Sequence, residues 1–314
     1  MNRFRKIAVL MLFVAPVFQA CEVVDPLASE QYQKDIYIVG ANERIATFNV
    51  PFGTQESTFV SISASGTKRV EQDVEITLRQ ADSLINWYNG KYMLDATVKY
   101  RPLSSALVTI PSWKATLPAG EIYTRFPFSI NTSSLHCDSL YAIGMAIDAV
   151  SGYQKAEKGT ELVFVLKLVN EWSGNYSLEA TSTRLKSDDG GVTWVADGAP
   201  ATQNYSRILT ATSADAVRFL HGTTKETLAE YTSWDPAGDY FAALERYGIQ
   251  FVRTGATGNN FTVAAWESGS GGMPIIEGTA EYVTVGFDSG FRFSYDYEDG
   301  GNRFRMQGMF RELK

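Results

Sequence analysis

From residue 36 onward, apolar residues fall in short runs that often alternate with polar ones, the period-two pattern of strands in a sheet. Runs at 36–39, 45–50, 58–62, 74–78, 107–110, 122–130, 140–147 and 162–169 are rich in β-branched and aromatic residues and are separated by Gly, Pro, Ser and Asn. Together they predict an immunoglobulin-like β-sandwich over residues 35–169, with 162–169 as a well-buried last strand. One segment breaks the pattern. Asp82 can cap a single helical turn, and Leu84 and Tyr88 fall four apart on one face, so residues 82–89 read as a helical plug. The turn Leu117-Pro118-Ala119-Gly120-Glu121 feeds the long run 122–130, in which Pro127 calls for an edge position or a bulge.

A second series starts after Asn170-Glu171, with runs at 176–185, 193–196, 206–212, 217–220, 249–253, 260–266, 280–287, 290–297 and 303–311. Joined mainly as hairpins, these runs predict an antiparallel up-and-down β-barrel over residues 170–314. Asp299-Gly300-Gly301 is a hairpin turn between two alternating runs. A short helix is expected near 224–231 or 241–247. There is no repeat of fixed period, which disfavours a solenoid or a propeller.

The first twenty-one residues carry a different signal. Arg3, Arg5 and Lys6 precede the apolar stretch 7–18, and Phe18-Gln19-Ala20-Cys21 places a small residue directly before a cysteine. This is the order of a lipoprotein signal peptide, with residues 1–21 ending at a lipidated Cys21 and 22–34 forming a tether. Cys137 is then the one remaining thiol, so no intrachain disulfide is expected. The net charge of −7 offers no basic field for nucleic acid. His136 and His221 are the only histidines and lie far apart in sequence, which leaves no zinc cluster and no triad spacing. His136, beside Cys137, reads as a loop residue.

Ser187-Asp188-Asp189-Gly190-Gly191-Val192-Thr193-Trp194 fits the Asp-box pattern, a turn in which the aspartate accepts N–H bonds and the tryptophan packs beneath. It occurs once and supplies no catalytic roles. Asp235 with Asp239, or Asp296, Glu298 and Asp299, are carboxylate pairs on paper, yet carboxylates in Gly-rich turns usually cap the turn. No catalytic residue, metal site or cofactor is therefore assigned. Sugar binding asks for an aromatic face with polar neighbours, and the aromatic fraction of 13% suits it. Trp194, Trp234, Tyr240 and Trp266, at or near loops rich in Gly, Ser, Asp and Asn, are the carbohydrate-binding candidates. Trp172 reads as core at the domain junction, and Trp87 as exposed beside the plug.

Ile76-Thr77-Leu78, Asp82-Ser83-Leu84, Tyr88-Asn89, Val108-Thr109-Ile110, Pro118-Ala119-Gly120-Glu121, Leu140-Tyr141 and the closing run to Val169 follow in order and spacing. Over about residues 35–169 the chain thus resembles the family catalogued as domain of unknown function 1735, departing from its compact pattern at 91–112. Residues 172–314 resemble the lipocalin-like domain that often follows, on the opening Trp-x-Gly-x-Tyr. The resemblance implies a Bacteroidota surface lipoprotein of the SusE- or SusF-like accessory kind. Such a protein is anchored in the outer membrane, faces the cell exterior, and works with a TonB-dependent transporter and its lipoprotein partners to hold oligosaccharide or polysaccharide. The alternatives are a structural or adhesive protein with protein partners only, and a glycoside hydrolase.

Overall fold

A computed structural model describes residues 30, 32–222, 225–266, 272–286 and 288–313. It is almost entirely β. The first part contains β1 (Asp35–Ile38), β2 (Ile45–Pro51), β3 (Glu56–Ala64), β4 (Val74–Gln80), helix α1 (Ser83–Tyr92), β5 (Arg101–Pro102), β6 (Val108–Thr109), β7 (Lys114–Leu117), β8 (Tyr123–Ile130), β9 (Tyr141–Val150), β10 (Gln154–Lys155) and β11 (Glu161–Val169). Two sheets form, in the orders β10-β1-β3-β8-β6 and β2-β11-β9-β4-β7, with β5 paired to β9. Their facing residues interdigitate. Ile36, Ile62, Phe126 and Phe128 from one sheet share a core with Ile76, Ile143, Met145 and Phe164 from the other.

The plug is longer than its sequence suggests. Instead of one turn, α1 runs ten residues, and Asp82 makes no capping bond, since its carboxylate accepts from Gln80 Nε2 at 2.6 Å. Leu84 and Ile85 bury against Ala142, Ala146, Val163 and Val165 on the outer face of the second sheet. That second covering explains why β11 is continuously apolar. Gly144 allows it, because a Cβ there would lie 2.1 Å from the Ala81 carbonyl oxygen. Pro127 sits in β8 opposite Phe59 of β3, while β6 pairs with β8 only at Ser129 and Ile130, so Pro127 faces an open edge.

The second part contains β12 (Gly174–Lys186), β13 (Val195–Ala196), β14 (Ala201–Ser213), β15 (Ala216–Leu220), α2 (Pro236–Tyr247), β16 (Gly248–Arg253), β17 (Asn260–Ala265), β18 (Ile275–Val285), β19 (Asp288–Asp299) and β20 (Asn302–Glu312). Eight strands follow the order β12-β14-β15-β16-β17-β18-β19-β20, and β20 returns to pair with β12 from Tyr176↔Glu312 to Leu185↔Arg303, closing an antiparallel barrel. β13 is a short flap on β12. Asp299 pairs with Asn302 around Gly300 and Gly301, whose φ values of 57° and 75° make the two-residue hairpin turn.

The barrel interior is filled. Tyr176, Phe219, Phe251, Phe261, Phe291, Phe293, Phe310 and Tyr295 are buried and pack edge to face or tilted against one another. Each such ring stabilises the fold by roughly 2–3 kcal/mol on burial. Trp172 plugs one end, its ring 5.0 Å from that of Phe261 and its carbonyl accepting from Tyr176 Oη at 2.9 Å.

Candidate functional site

Because the interior is packed with rings, a ligand has to be met on the outside. Alternation along the strands puts Glu179 and Thr181 of β12, Thr202 and Asn204 of β14, Gln307 of β20, Arg292 and Ser294 of β19, Thr279 and Glu281 of β18 and Asn260 of β17 on the outer face. Strand register aligns them in two rows. Asn204, Glu179, Met309, Arg292, Glu281 and Asn260 follow one row, and Thr202, Thr181, Gln307, Ser294 and Thr279 follow the next. Along these rows runs an open groove of about 1000 Å³. Its lining offers hydroxyl, amide, carboxylate and guanidinium groups. Arg292 has no ion-pair partner among the described residues and is exposed.

One row further along, the outer face is locked. Asp296 is buried under Arg303 (Nη2 at 2.6 Å) and Arg305 (Nε at 2.7 Å), and Arg303 also reaches Glu277 at 2.7 Å. Burial pushes the Asp296 carboxyl up, but the two guanidinium groups outweigh it and hold its pKa below the ordinary value. This carboxylate is thus structural. Asp235 likewise caps α2, accepting from the Gly238 N–H at 3.1 Å. The carboxyl that is pushed above its ordinary value, Glu226, is raised by burial. It pairs with Arg207 at 3.5 Å and accepts from the Ile208 N–H, which ties down the segment after β15.

The four aromatic candidates do not share a platform. Trp194 ends the Asp-box turn, in which Asp189 accepts from the N–H groups of Val192 (3.0 Å) and Thr193 (2.9 Å) and from the Thr193 hydroxyl. Those bonds hold the exposed Asp189 carboxyl well below its ordinary pKa. The Trp194 indole donates to Gly191 O at 3.2 Å, and the Arg303 guanidinium lies 4.7 Å over its ring. Trp234, before α2, stands 96% exposed. Trp266 and Tyr240 gather at the joint between the two parts. There Arg218 lies 4.6 Å over Trp266 and binds Asp138 of the first part bidentately at 2.6 and 2.7 Å. Burial pushes the Tyr240 hydroxyl up to about 12. Cys21 lies outside the described residues.

His136, Cys137 and Asp138 bring one ligand atom each within 4.8 Å of one another at the same joint. Their donors are already committed. Burial pushes the Cys137 thiol up to about 12, Arg218 takes Asp138, and His136 Nδ1 accepts from the Asp138 N–H at 3.2 Å. These engagements argue against a metal centre. The groove residues, by contrast, escaped the sequence reading. Their only signal is polar alternation, which every solvated strand face shares.

No curated protein matches the sequence. Solved structures of the same fold come from Bacteroides. One from Bacteroides ovatus, of unknown function, is 13% identical with a TM-score of 0.61, over 90% of this chain and 95% of that one. A multidomain protein including DUF1735 from the same organism is 12% identical with a TM-score of 0.54, over 88% and 94%. An auxiliary nutrient binding protein from Bacteroides thetaiotaomicron is 13% identical with a TM-score of 0.51, over 85% and 90%. Residues 32–154 match a family model described as an N-terminal domain, and residues 160–311 one described as C-terminal.

Proposed function

We propose that the protein holds an oligosaccharide or polysaccharide on the bacterial surface without cleaving it, as an accessory of a glycan-uptake system. The observation that carries this reading is the groove across six strands of the barrel wall. Neighbouring strands lie about 4.8 Å apart, so six span roughly 24 Å. That spacing is close to the repeat of an extended pyranose chain, which would meet at least one fresh polar side chain on each strand. The fold it shares with an auxiliary nutrient binding protein supports the same reading. Cys21 is proposed as the lipid anchor in the outer membrane, and a TonB-dependent transporter with its lipoproteins as the partner that receives the glycan.

The test is affinity electrophoresis of the full-length protein through gels containing a panel of neutral polysaccharides, with reducing ends followed in parallel. Retardation by one glycan is expected, and Arg292→Ala or Glu281→Ala should weaken it about tenfold, the loss of one or two ligand hydrogen bonds. Trp234→Ala serves alongside as the probe of the exposed aromatic. Newly released reducing ends would favour the hydrolase reading. Retardation indifferent to both groove changes would remove the groove from the proposal, and no retardation would leave the adhesive reading.

A further inference from the structure

A second pocket, of about 760 Å³, lies on the first part of the molecule, between the end of α1, the turn before β2 and the turn before β11. Arg44, in the turn before β2, has φ 61°, the only positive value at a non-glycine residue among the described residues. Left-handed backbone is rare for an L side chain and tends to mark function where the surroundings impose it. This conformation accompanies a guanidinium placed 4.9 Å over the ring of Trp87. The ammonium of Lys91 lies 5.0 Å from the same ring and 5.0 Å from that of Tyr92. The rings thus hold two cations in place while staying in contact with water, Trp87 at 36% and Tyr92 at 57% exposure.

Lys155 and Lys158 add two more cations to the lining, against Glu43, Glu157 and Glu161, and Glu161 lies 3.4 Å from Arg44. The pocket is therefore positive by one charge in a chain whose net charge is −7. A guanidinium and an ammonium that line one pocket and rest on one ring suit a carboxylate or a sulfate ester, and an exposed tyrosine ring matches the C–H face of a pyranose.

We propose that this pocket is a second saccharide site, specific for an acidic sugar, whose anionic group meets Arg44 and Lys91 while its ring lies on Tyr92. It is separate from the barrel groove and stands or falls on different residues. The test uses the full-length protein with polygalacturonate, alginate and dextran sulfate, and with methyl-esterified polygalacturonate, which keeps the backbone and removes the charge. The acidic polymers should be retained about tenfold or more tightly than the ester, less so as salt rises. Polygalacturonate against dextran sulfate tells carboxylate from sulfate. Arg44→Gly and Lys91→Gln should each weaken retention of the acidic polymer and leave the groove's glycan untouched. Glycine favours φ 61°, so Arg44→Gly should fold with an unchanged or raised Tm. Equal retention of acid and ester, no change in either variant, failure of all three acidic polymers, or equally tight binding to anionic lipid vesicles would each overturn the proposal.

Discussion

His221 shows what burial does to a single residue. Its Nδ1 lies 2.7 Å from Tyr295 Oη, and its ring packs 4.7 Å from that of Tyr297. Burial, and after it the positive charge of Arg207, push its pKa down to about 4. The unfolded chain binds the proton more readily, so this contribution to stability is present above about pH 6.5 and lost as pH falls through 4. Its size is up to about 3 kcal/mol, from 1.36 kcal/mol per pKa unit. Urea midpoints at pH 7 and 4.5 should therefore drop less in His221→Gln than in the unaltered chain, and an equal drop would show that the ring does not titrate with folding. No residue-level signal reveals this in the sequence, where His221 is a lone histidine. The same holds for the aromatics: Trp172 was legible as core, whereas Trp266 and Tyr240 look like loop rings until the fold sets Arg218 over Trp266 and buries the Tyr240 hydroxyl.

Among the elements, the seam between β12 and β20 depends on one small residue. A Cβ on Gly308 would lie 2.3 Å from the Glu179 carbonyl oxygen and 2.5 Å from Ala180 Cα. Gly308→Ala should thus cost about 1–3 kcal/mol, read as a lower urea midpoint, whereas a midpoint within error of the unaltered chain would mean the seam yields easily. The strands themselves were legible, because one buried face imposes alternation and the turns carry Gly and Asn. The length of α1 was not, since Asn86, Asn89 and Gly90 are weak helix formers and only packing on β9 and β11 sustains the extra turns. The groove was illegible for a related reason. Thr181, Gln307, Ser294 and Thr279 lie far apart in the chain, and only strand register makes them neighbours.

At the scale of the whole molecule, the two parts are joined by more than the segment 170–173. Asn170 Nδ2 donates to the carbonyls of Ser213 (2.9 Å) and Ala216 (2.8 Å), and Arg218 and Asp138, with side chains 2% and 9% exposed, form the bidentate pair. Removing one partner of a buried pair strands the other, at a cost of about 3–5 kcal/mol. Arg218→Met should therefore lower Tm and open residues 170–173 to protease. The double change Arg218→Met with Asp138→Leu should recover much of the loss, and a double variant as weak as the single one would show that the pair is worth more than its desolvation.

The closed barrel also sets the order in which the molecule can be made. β12 and β20 pair from Tyr176↔Glu312 to Leu185↔Arg303, so the seam joins residues more than a hundred positions apart. Every other pairing in the barrel links consecutive strands, or β12 to its neighbours β13 and β14, and forms locally. Until residues 302–312 arrive, β12 and β19 each present a bare edge rich in hydrogen-bonding groups, the template on which a second chain would add. High contact order makes that last closure slow. As the chain folds, then, the interval between β19 and β20 is the window in which this protein is most exposed to aggregation, and a chaperone that caps strand edges would protect it there.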